Sequence, residues 1–321
     1  MYYIGVDLGG TNIAVGIVDS QHHIIKKAST PTLADRPAEA IVRDMARVAE
    51  GLIADCHLTL SDIAYVGIAS PGIANSKTGV VEYSCNLPFV NFPIADCFKS
   101  FLPVKEVYVE NDANAAALAE ALAGAAKGTR NSVMITLGTG VGGGIIIDGQ
   151  VYSGFNSAGG ELGHIVIEKD GRQCGCGRRG CWETYSSATG LATMTREKVQ
   201  ELTLKGIPSL MVDDYRATGK ISARMPFDAM RRGDAEGAKV VDEYISYLAV
   251  GIANVINIFQ PEVLSIGGGI SNEKNYLLEP LMKIVDREQY TRDNAKKTVV
   301  KIAQMGNDAG IVGAAGLGLN K

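Results

Sequence analysis

The chain carries no surplus of positive charge. Its 31 lysines and arginines stand against 35 aspartates and glutamates, a formal net charge of −4. Without a basic field there is no electrostatic footprint for nucleic acid, and no nucleic-acid partner is expected. A long uninterrupted apolar run is also missing. The two longest, near residues 133–147 and 247–259, are broken by glycines or asparagines and are too short or too polar to cross a bilayer, so no membrane partner is expected. The opening MYYIGVDLGG has a strand pattern without a charged leader segment, and no secretory signal is expected. No low-complexity linker interrupts the chain. A cytoplasmic protein follows from these absences. Nothing points to an oxidising compartment, which counts against disulfides.

What is present is more specific. A length of 321 residues suggests two domains, and 46% apolar residues suffice for substantial cores. Cys56, Cys85 and Cys97 stand singly in mixed segments and read as packing residues. The other three cysteines share one stretch, residues 159–183. Cys174, Cys176 and Cys181, with His164 ten residues before the first, make a complete tetrahedral donor set for Zn²⁺. Gly175, Gly177 and Gly180 let the backbone curl round an ion. The competing readings are cysteines packed as small hydrophobes, or a disulfide. Arg172, Arg178 and Arg179 mark a polar surface loop and favour the metal. Zinc would orient His164 and the flanking Glu161 and Glu183. Carboxylates accept from sugar hydroxyls, and an imidazole bound to metal through one nitrogen keeps a donor on the other. The stretch reads as a polyol-gripping surface pinned by a metal, against ordinary solvated charge for the two glutamates.

The N-terminus reads as a β-meander with strands at 2–7, 13–18 and 24–28. Its first turn, Gly9-Gly10-Thr11-Asn12, exposes backbone N–H groups and can cradle phosphate, or merely connect strands. The pattern recurs 129 residues on. Leu8-Gly9 through Asp19-Ser20-Gln21 parallels Leu137-Gly138 through Asp148-Gly149-Gln150. Two related α/β halves, each bringing a glycine/threonine turn to a common cleft, would clamp a polyphosphate. A helix is predicted at 37–56, a strand at 63–69 ending in Ser70-Pro71-Gly72, and a strand at 80–83 followed by Asn86-Leu87-Pro88. A further strand, 104–109, stops at Glu110-Asn111-Asp112, where an alanine-rich helix at 113–126 opens. Asn111 and Asp112 can be caps. A strand-end carboxylate at the carboxyl edge of a sheet is also where α/β enzymes place catalytic groups, and a phosphoryl acceptor hydroxyl needs one base. Helices are predicted at 190–204, 226–232 and 235–258, with a less regular stretch at 206–223. The strand at 262–266 ends in Gly267-Gly268-Gly269, which permits close approach of a flat ring or ribose, or makes a plain turn. The glycine-rich segment 306–319 reads as a final helix. The domain join is expected near the helix at 113–126.

Together these motifs resemble the ROK family of bacterial sugar kinases over nearly the whole chain. They are Asp7-Leu8-Gly9-Gly10-Thr11-Asn12, Glu110-Asn111-Asp112-Ala113-Asn114, Leu137-Gly138-Thr139-Gly140, Gly160-Glu161-Leu162-Gly163-His164, Cys174-Gly175-Cys176-Gly177 with Gly180-Cys181 and Glu183, and Gly267-Gly268-Gly269. The cysteine motif at this distance from the Gly-His pair is the specific part. The resemblance implies an α/β protein of the actin/hexokinase/Hsp70-like ATPase fold, two related α/β domains flanking a cleft. The first is expected at 1–118, completed by the C-terminal helix 306–321, and the second at 119–305 with the zinc-binding loop 164–181. Asp112 is then the general base. Asn111, Glu161, His164 and Glu183, with Gly72 and Asn86, bind a hexose. His164, Cys174, Cys176 and Cys181 hold a structural zinc. Gly9, Gly10, Thr11 and Asn12, with Gly138, Thr139 and Gly140, face the ATP phosphates; Gly268 and Gly269 lie by the adenosine, and Asp7 helps to hold Mg²⁺. The implied reaction is in-line transfer of the ATP γ-phosphoryl group to a hexose 6-hydroxyl, in a homodimer, with domain closure and a more compact particle on sugar binding. As a base at a helix N-terminus, Asp112 is expected to keep a low pKa.

The family also holds transcriptional repressors with an N-terminal helix-turn-helix. Asp7 lies six residues from Met1, so no such domain is expected here. A zinc-stabilised sugar binder without catalysis is a third reading, opposed by Asp112 and both phosphate turns. Among the kinases, those for glucose, N-acetylmannosamine, fructose and allose share these motifs. Ser84-Cys85-Asn86-Leu87-Pro88-Phe89 resembles the glucokinase branch, so glucose is the expected substrate and an amino sugar the second choice.

Overall fold

The structure, a computed structural model, describes residues 1–319. The last two residues of the C-terminal helix expected at 306–321 therefore lie outside the described residues. In chain order the elements are β1 (Tyr2–Leu8), β2 (Asn12–Asp19), β3 (Ile24–Pro31), α1 (Ala38–Asp55), β4 (Ile63–Ser70), β5 (Ile73–Asn75), β6 (Val80–Tyr83), β7 (Val90–Phe92), α2 (Ile94–Phe101), β8 (Val107–Asn111) and α3 (Asp112–Ala123). Then come β9 (Ser132–Leu137), β10 (Val141–Ile147), β11 (Gln150–Val151), α4 (Glu183–Ser186), α5 (Ala188–Lys205), α6 (Leu210–Thr218), α7 (Met225–Arg231) and α8 (Ala235–Phe259). The chain ends with β12 (Val263–Gly267), α9 (Asn275–Glu288), β13 (Val299–Ile302) and α10 (Ala309–Gly316).

The repeat read from the sequence has a structural counterpart. One five-stranded sheet runs β3-β2-β1-β4-β8 and the other β11-β10-β9-β12-β13, the same order of third, second, first, fourth and fifth strand. In the first sheet β1 pairs antiparallel with β2 and parallel with β4. Contacts divide the chain into two compact units. One comprises 1–134, 144–160 and 304–321; the other comprises 135–143 and 161–303.

In the first unit β1 is buried on both faces, so it reads as an almost continuous apolar run rather than an alternating one. Ile4, Val6 and Leu8 join a core with Ile41, Met45 and Leu52 of α1. The opposite face is cut back to glycine. Gly16, Gly5 and Gly67 stand side by side on β2, β1 and β4. A Cβ on Gly5 would collide with the Ile311 carbonyl and one on Gly67 with the Ala314 carbonyl. The row is a trough in which α10 lies against the sheet backbone. At the far end of that helix the Tyr65 hydroxyl donates to the Ala315 carbonyl at 2.7 Å.

The second unit is built round α8, whose buried positions include Tyr244, Leu248, Ile252 and Ile256. Trp182 is fully buried against Gly251 and donates its indole N–H to the Tyr247 carbonyl at 3.2 Å. Residues 206–223, expected to be less regular, contain α6. Ser209 caps its start and Gly219 ends it in the left-handed conformation. Its charged residues Asp213, Asp214 and Arg216 dilute the apolar period that would have revealed it. Among the described residues no helix is long and apolar enough to cross a membrane.

Candidate active site

In the first unit the site grows from the ends of β1 and β8. Asp7 is half-buried near the end of β1, on the face that carries α10. A Cβ on Gly310 would collide with the Asp7 carboxylate, so the missing side chain lets that carboxylate abut the first turn of α10. Burial, and next the charge of Asp112, push the Asp7 carboxyl up to about 6. The following turn is closed by the Gly9 N–H on the Asn12 carbonyl at 2.9 Å. It is also held by the Thr32 hydroxyl on the Gly9 carbonyl at 2.6 Å. Gly10, Thr11 and Asn12 are left exposed, with Asn86 packed beside Gly10 at 3.7 Å from where a Cβ would stand.

At the end of β8 the two candidate residues divide their duties. Asn111 is the cap of α3, its side-chain oxygen accepting from the N–H groups of Ala113 (2.9 Å) and Asn114 (3.2 Å). Its amide nitrogen donates to the Gly72 carbonyl at 3.0 Å, which ties the predicted sugar residue Gly72 to the strand end. Asp112 is the first residue of the helix and half-buried, with one oxygen accepting from the Ala113 N–H at 2.9 Å. The expected low pKa is overturned. Burial raises the Asp112 carboxyl and outweighs the backbone and Asn111 hydrogen bonds that lower it.

In the second unit the turn after β9 is held by its carbonyls. The Gly138 N–H donates to the Gly140 carbonyl at 3.0 Å, the Ala188 N–H to Gly138 at 2.8 Å, and the Thr189 hydroxyl to Thr139 at 2.7 Å. The last two donors belong to the start of α5. Glu183 accepts from the Val141 N–H at 3.0 Å and lies against Gly140, where a Cβ would collide with it. A cavity of about 450 Å³ opens beside this turn, lined by Leu137, Gly138, Thr139, Phe227, Gly269 and Asn272 among others. Gly268 has a φ of +82°, and its closeness serves the Leu137 backbone, while Gly269 faces open space. Phe227 and Asn272 have no motif in the sequence. Only the packing of α7 and of the turn after β12 brings them to the cavity.

The four predicted metal donors converge. One ligand atom each from His164, Cys174, Cys176 and Cys181 all lie within 4.8 Å of one another. The Cys174 sulfur is 3.7 Å from His164 Nδ1, and the Cys176 and Cys181 sulfurs are 3.6 Å apart. A tetrahedral zinc with Zn–S near 2.3 Å requires edges of about 3.8 Å between sulfurs and about 3.6 Å from sulfur to nitrogen. The donor set fits the ion. A hairpin builds it: the Cys174 N–H donates to the Arg178 carbonyl at 2.9 Å and the Gly177 N–H to the Cys174 carbonyl at 3.1 Å. The other imidazole nitrogen, Nε2, is 4.0 Å from Glu161. Cys174 also lies 3.9 Å from Glu183. Within this unit the metal set, both glutamates and the second glycine turn are thus one connected cluster.

A protein-family model described as the ROK family matches residues 3–321. The chain is 37% identical over 315 residues to a glucokinase of Halalkalibacterium halodurans, covering 97% of this chain and 93% of that one. It is 30% identical over 332 residues to an N-acetyl-D-glucosamine kinase of Haemophilus influenzae, with 100% of both covered. Among solved structures it resembles a ROK family glucokinase from Streptomyces griseus in complex with glucose and AMPPNP. That likeness has a TM-score of 0.77 and 32% identity, with all of both chains covered.

Proposed function

The chain belongs to the ROK family and has the actin/hexokinase/Hsp70-like ATPase fold; from that premise we propose that it is an ATP-dependent kinase acting on the 6-hydroxyl of glucose. The observation that carries this is full-length similarity to a glucokinase in a chain whose strand-end carboxylate, Asp112, opens helix α3 directly after its cap residue Asn111.

In the proposed reaction Asp112 accepts the proton of the sugar hydroxyl as its oxygen attacks the γ-phosphorus. The bond from that phosphorus to the β-bridging oxygen breaks, and ADP leaves. Asn111 holds the helix cap with its oxygen and the Gly72 carbonyl with its amide, and stands beside Asp112 as a sugar-binding residue. Glu161, Glu183 and His164, with Gly72 and Asn86, complete the sugar's hydrogen bonds. Gly9 to Asn12 and Gly138 to Gly140 bind the phosphates, with the nucleoside in the cavity beside Gly268 and Gly269. Asp7 would hold Mg²⁺, which when bound neutralises phosphate charge. Zinc in the Cys₃His set would hold His164 and its neighbouring glutamates in place. A homodimer is proposed from the family resemblance.

A coupled ADP-release assay over glucose, N-acetylglucosamine, N-acetylmannosamine, mannose, fructose and allose tests the substrate. Glucose should dominate. The similarity to an N-acetyl-D-glucosamine kinase supports an amino sugar as the second reading, and dominant turnover on an acetamido sugar would replace glucose with it.

A further inference from the structure

We propose that Glu110 is the positioning residue of the reaction, holding the base-bearing end of β8 and the loop after β11 in one geometry; this rests on the reading of Asp112 as the base. Glu110 is buried, with 3% of its surface exposed. Such a carboxyl costs stability unless hydrogen bonds compensate its desolvation. It accepts three. Oε1 takes the Asn111 N–H at 2.9 Å and the Asn114 side-chain amide at 3.0 Å. Oε2 takes the Ser153 hydroxyl at 2.7 Å.

Each bond lands on something the proposed reaction uses. The Asn111 N–H belongs to the peptide that sets where Asn111 and Asp112 point. Asn114 stands in the first turn of α3, the turn that Asp112 opens. Its amide oxygen is buried without a partner among the described residues, a costly arrangement. Turning the amide over would set that oxygen against the Glu110 oxygen. Its orientation is therefore fixed by service to Glu110. Ser153 anchors a loop closed on itself by the Gly159 N–H on the Ser153 carbonyl at 2.9 Å, and that loop runs on in sequence to Glu161.

Packing does not hold Glu110 on every side. It lines a cavity of about 120 Å³ with Tyr108, Leu118, Ser153 and Leu317. Its position is therefore set by its hydrogen bonds, and side chains of similar length fit without strain. A glutamine can keep the shared oxygen on Asn111 and Asn114 and donate its amide to Ser153, whose hydroxyl can rotate to accept. A methionine fills the same space and keeps none of the bonds.

The test compares Glu110→Gln, Glu110→Met, Ser153→Ala and Asp112→Asn by steady-state kinetics on protein shown folded by thermal melting. Glu110→Met should lower kcat about 10–100-fold with the KM for ATP unchanged, as expected when reacting groups shift by a fraction of an ångström to an ångström. Glu110→Gln should keep kcat within about threefold of the parent, and Ser153→Ala should fall between them. Wild-type kcat in folded Glu110→Met would overturn the proposal. So would a Gln variant as impaired as the Met variant, since charge and not bonding would then matter. If Glu110→Met does not fold, Ser153→Ala decides: an unchanged kcat overturns the proposal and a loss of several-fold supports it. Wild-type turnover in Asp112→Asn would instead sink the reading of Asp112 as base, a failure visible independently of Glu110.

Discussion

Asp7 and Asp112 are two acidic groups with raised pKa values in one place, and both have consequences for pH. A base must be deprotonated to act. Burial raises Asp112, so kcat/KM should fall on acidification at a pH above the ordinary carboxylate range and recover as pH rises. A pH–rate profile whose acid limb lies near 4 or below would contradict this. Asp7 bears on stability. Its folded value of about 6 exceeds the ordinary 3.8, so the folded state holds this proton more tightly than the unfolded chain. The stabilising contribution is complete below 3.8 and is lost as pH rises through 6, a loss of up to about 3 kcal/mol. Asp7→Asn should therefore raise the melting temperature of the ligand-free protein at pH 7.5 while abolishing turnover. A lower melting temperature would show that the carboxylate stabilises the fold at that pH.

Two elements carry predictions of their own. Helix α10 reaches Asp7 only because Gly5, Gly16 and Gly67 leave it a trough. Gly67→Ala puts a methyl group into the Ala314 carbonyl and should cost at least ~1–3 kcal/mol in denaturant unfolding, the usual penalty of overpacking. An unchanged midpoint would mean the helix can shift without loss. The cysteine hairpin holds His164 beside Glu161 and Cys174 beside Glu183. Stripping metal with a chelator should release one zinc per chain and raise the sugar KM about tenfold or more, with zinc restoring it. Full sugar affinity in metal-free protein would sever the zinc from the sugar site.

At the scale of the whole molecule, what the sequence disclosed was what repeats or what only one chemistry explains. The constant offset between Leu8…Gln21 and Leu137…Gln150 foreshadowed two sheets of one strand order. Three cysteines and a histidine foreshadowed a four-donor cluster. Asn111-Asp112 was ambiguous in sequence between cap and base; the structure gives the cap to Asn111, and the base role of Asp112 is a proposal. Other features exist only through tertiary contact. Glu110 meets Ser153 across 43 positions, and Phe227 comes to the cavity beside the second glycine turn from a helix without a motif. The pKa of Asp112 was misjudged because helix position is visible in sequence and burial is not.

The central claim is that this chain phosphorylates a sugar with Asp112 as its base. Steady-state turnover of glucose with Mg·ATP by the parent and by Asp112→Asn, with glucose binding to both followed by calorimetry, tests it most directly. The account predicts turnover in the parent, a loss of at least about 10²–10⁴-fold in kcat in the variant, and retained glucose binding in both. Glucose turnover surviving in Asp112→Asn would contradict the claim.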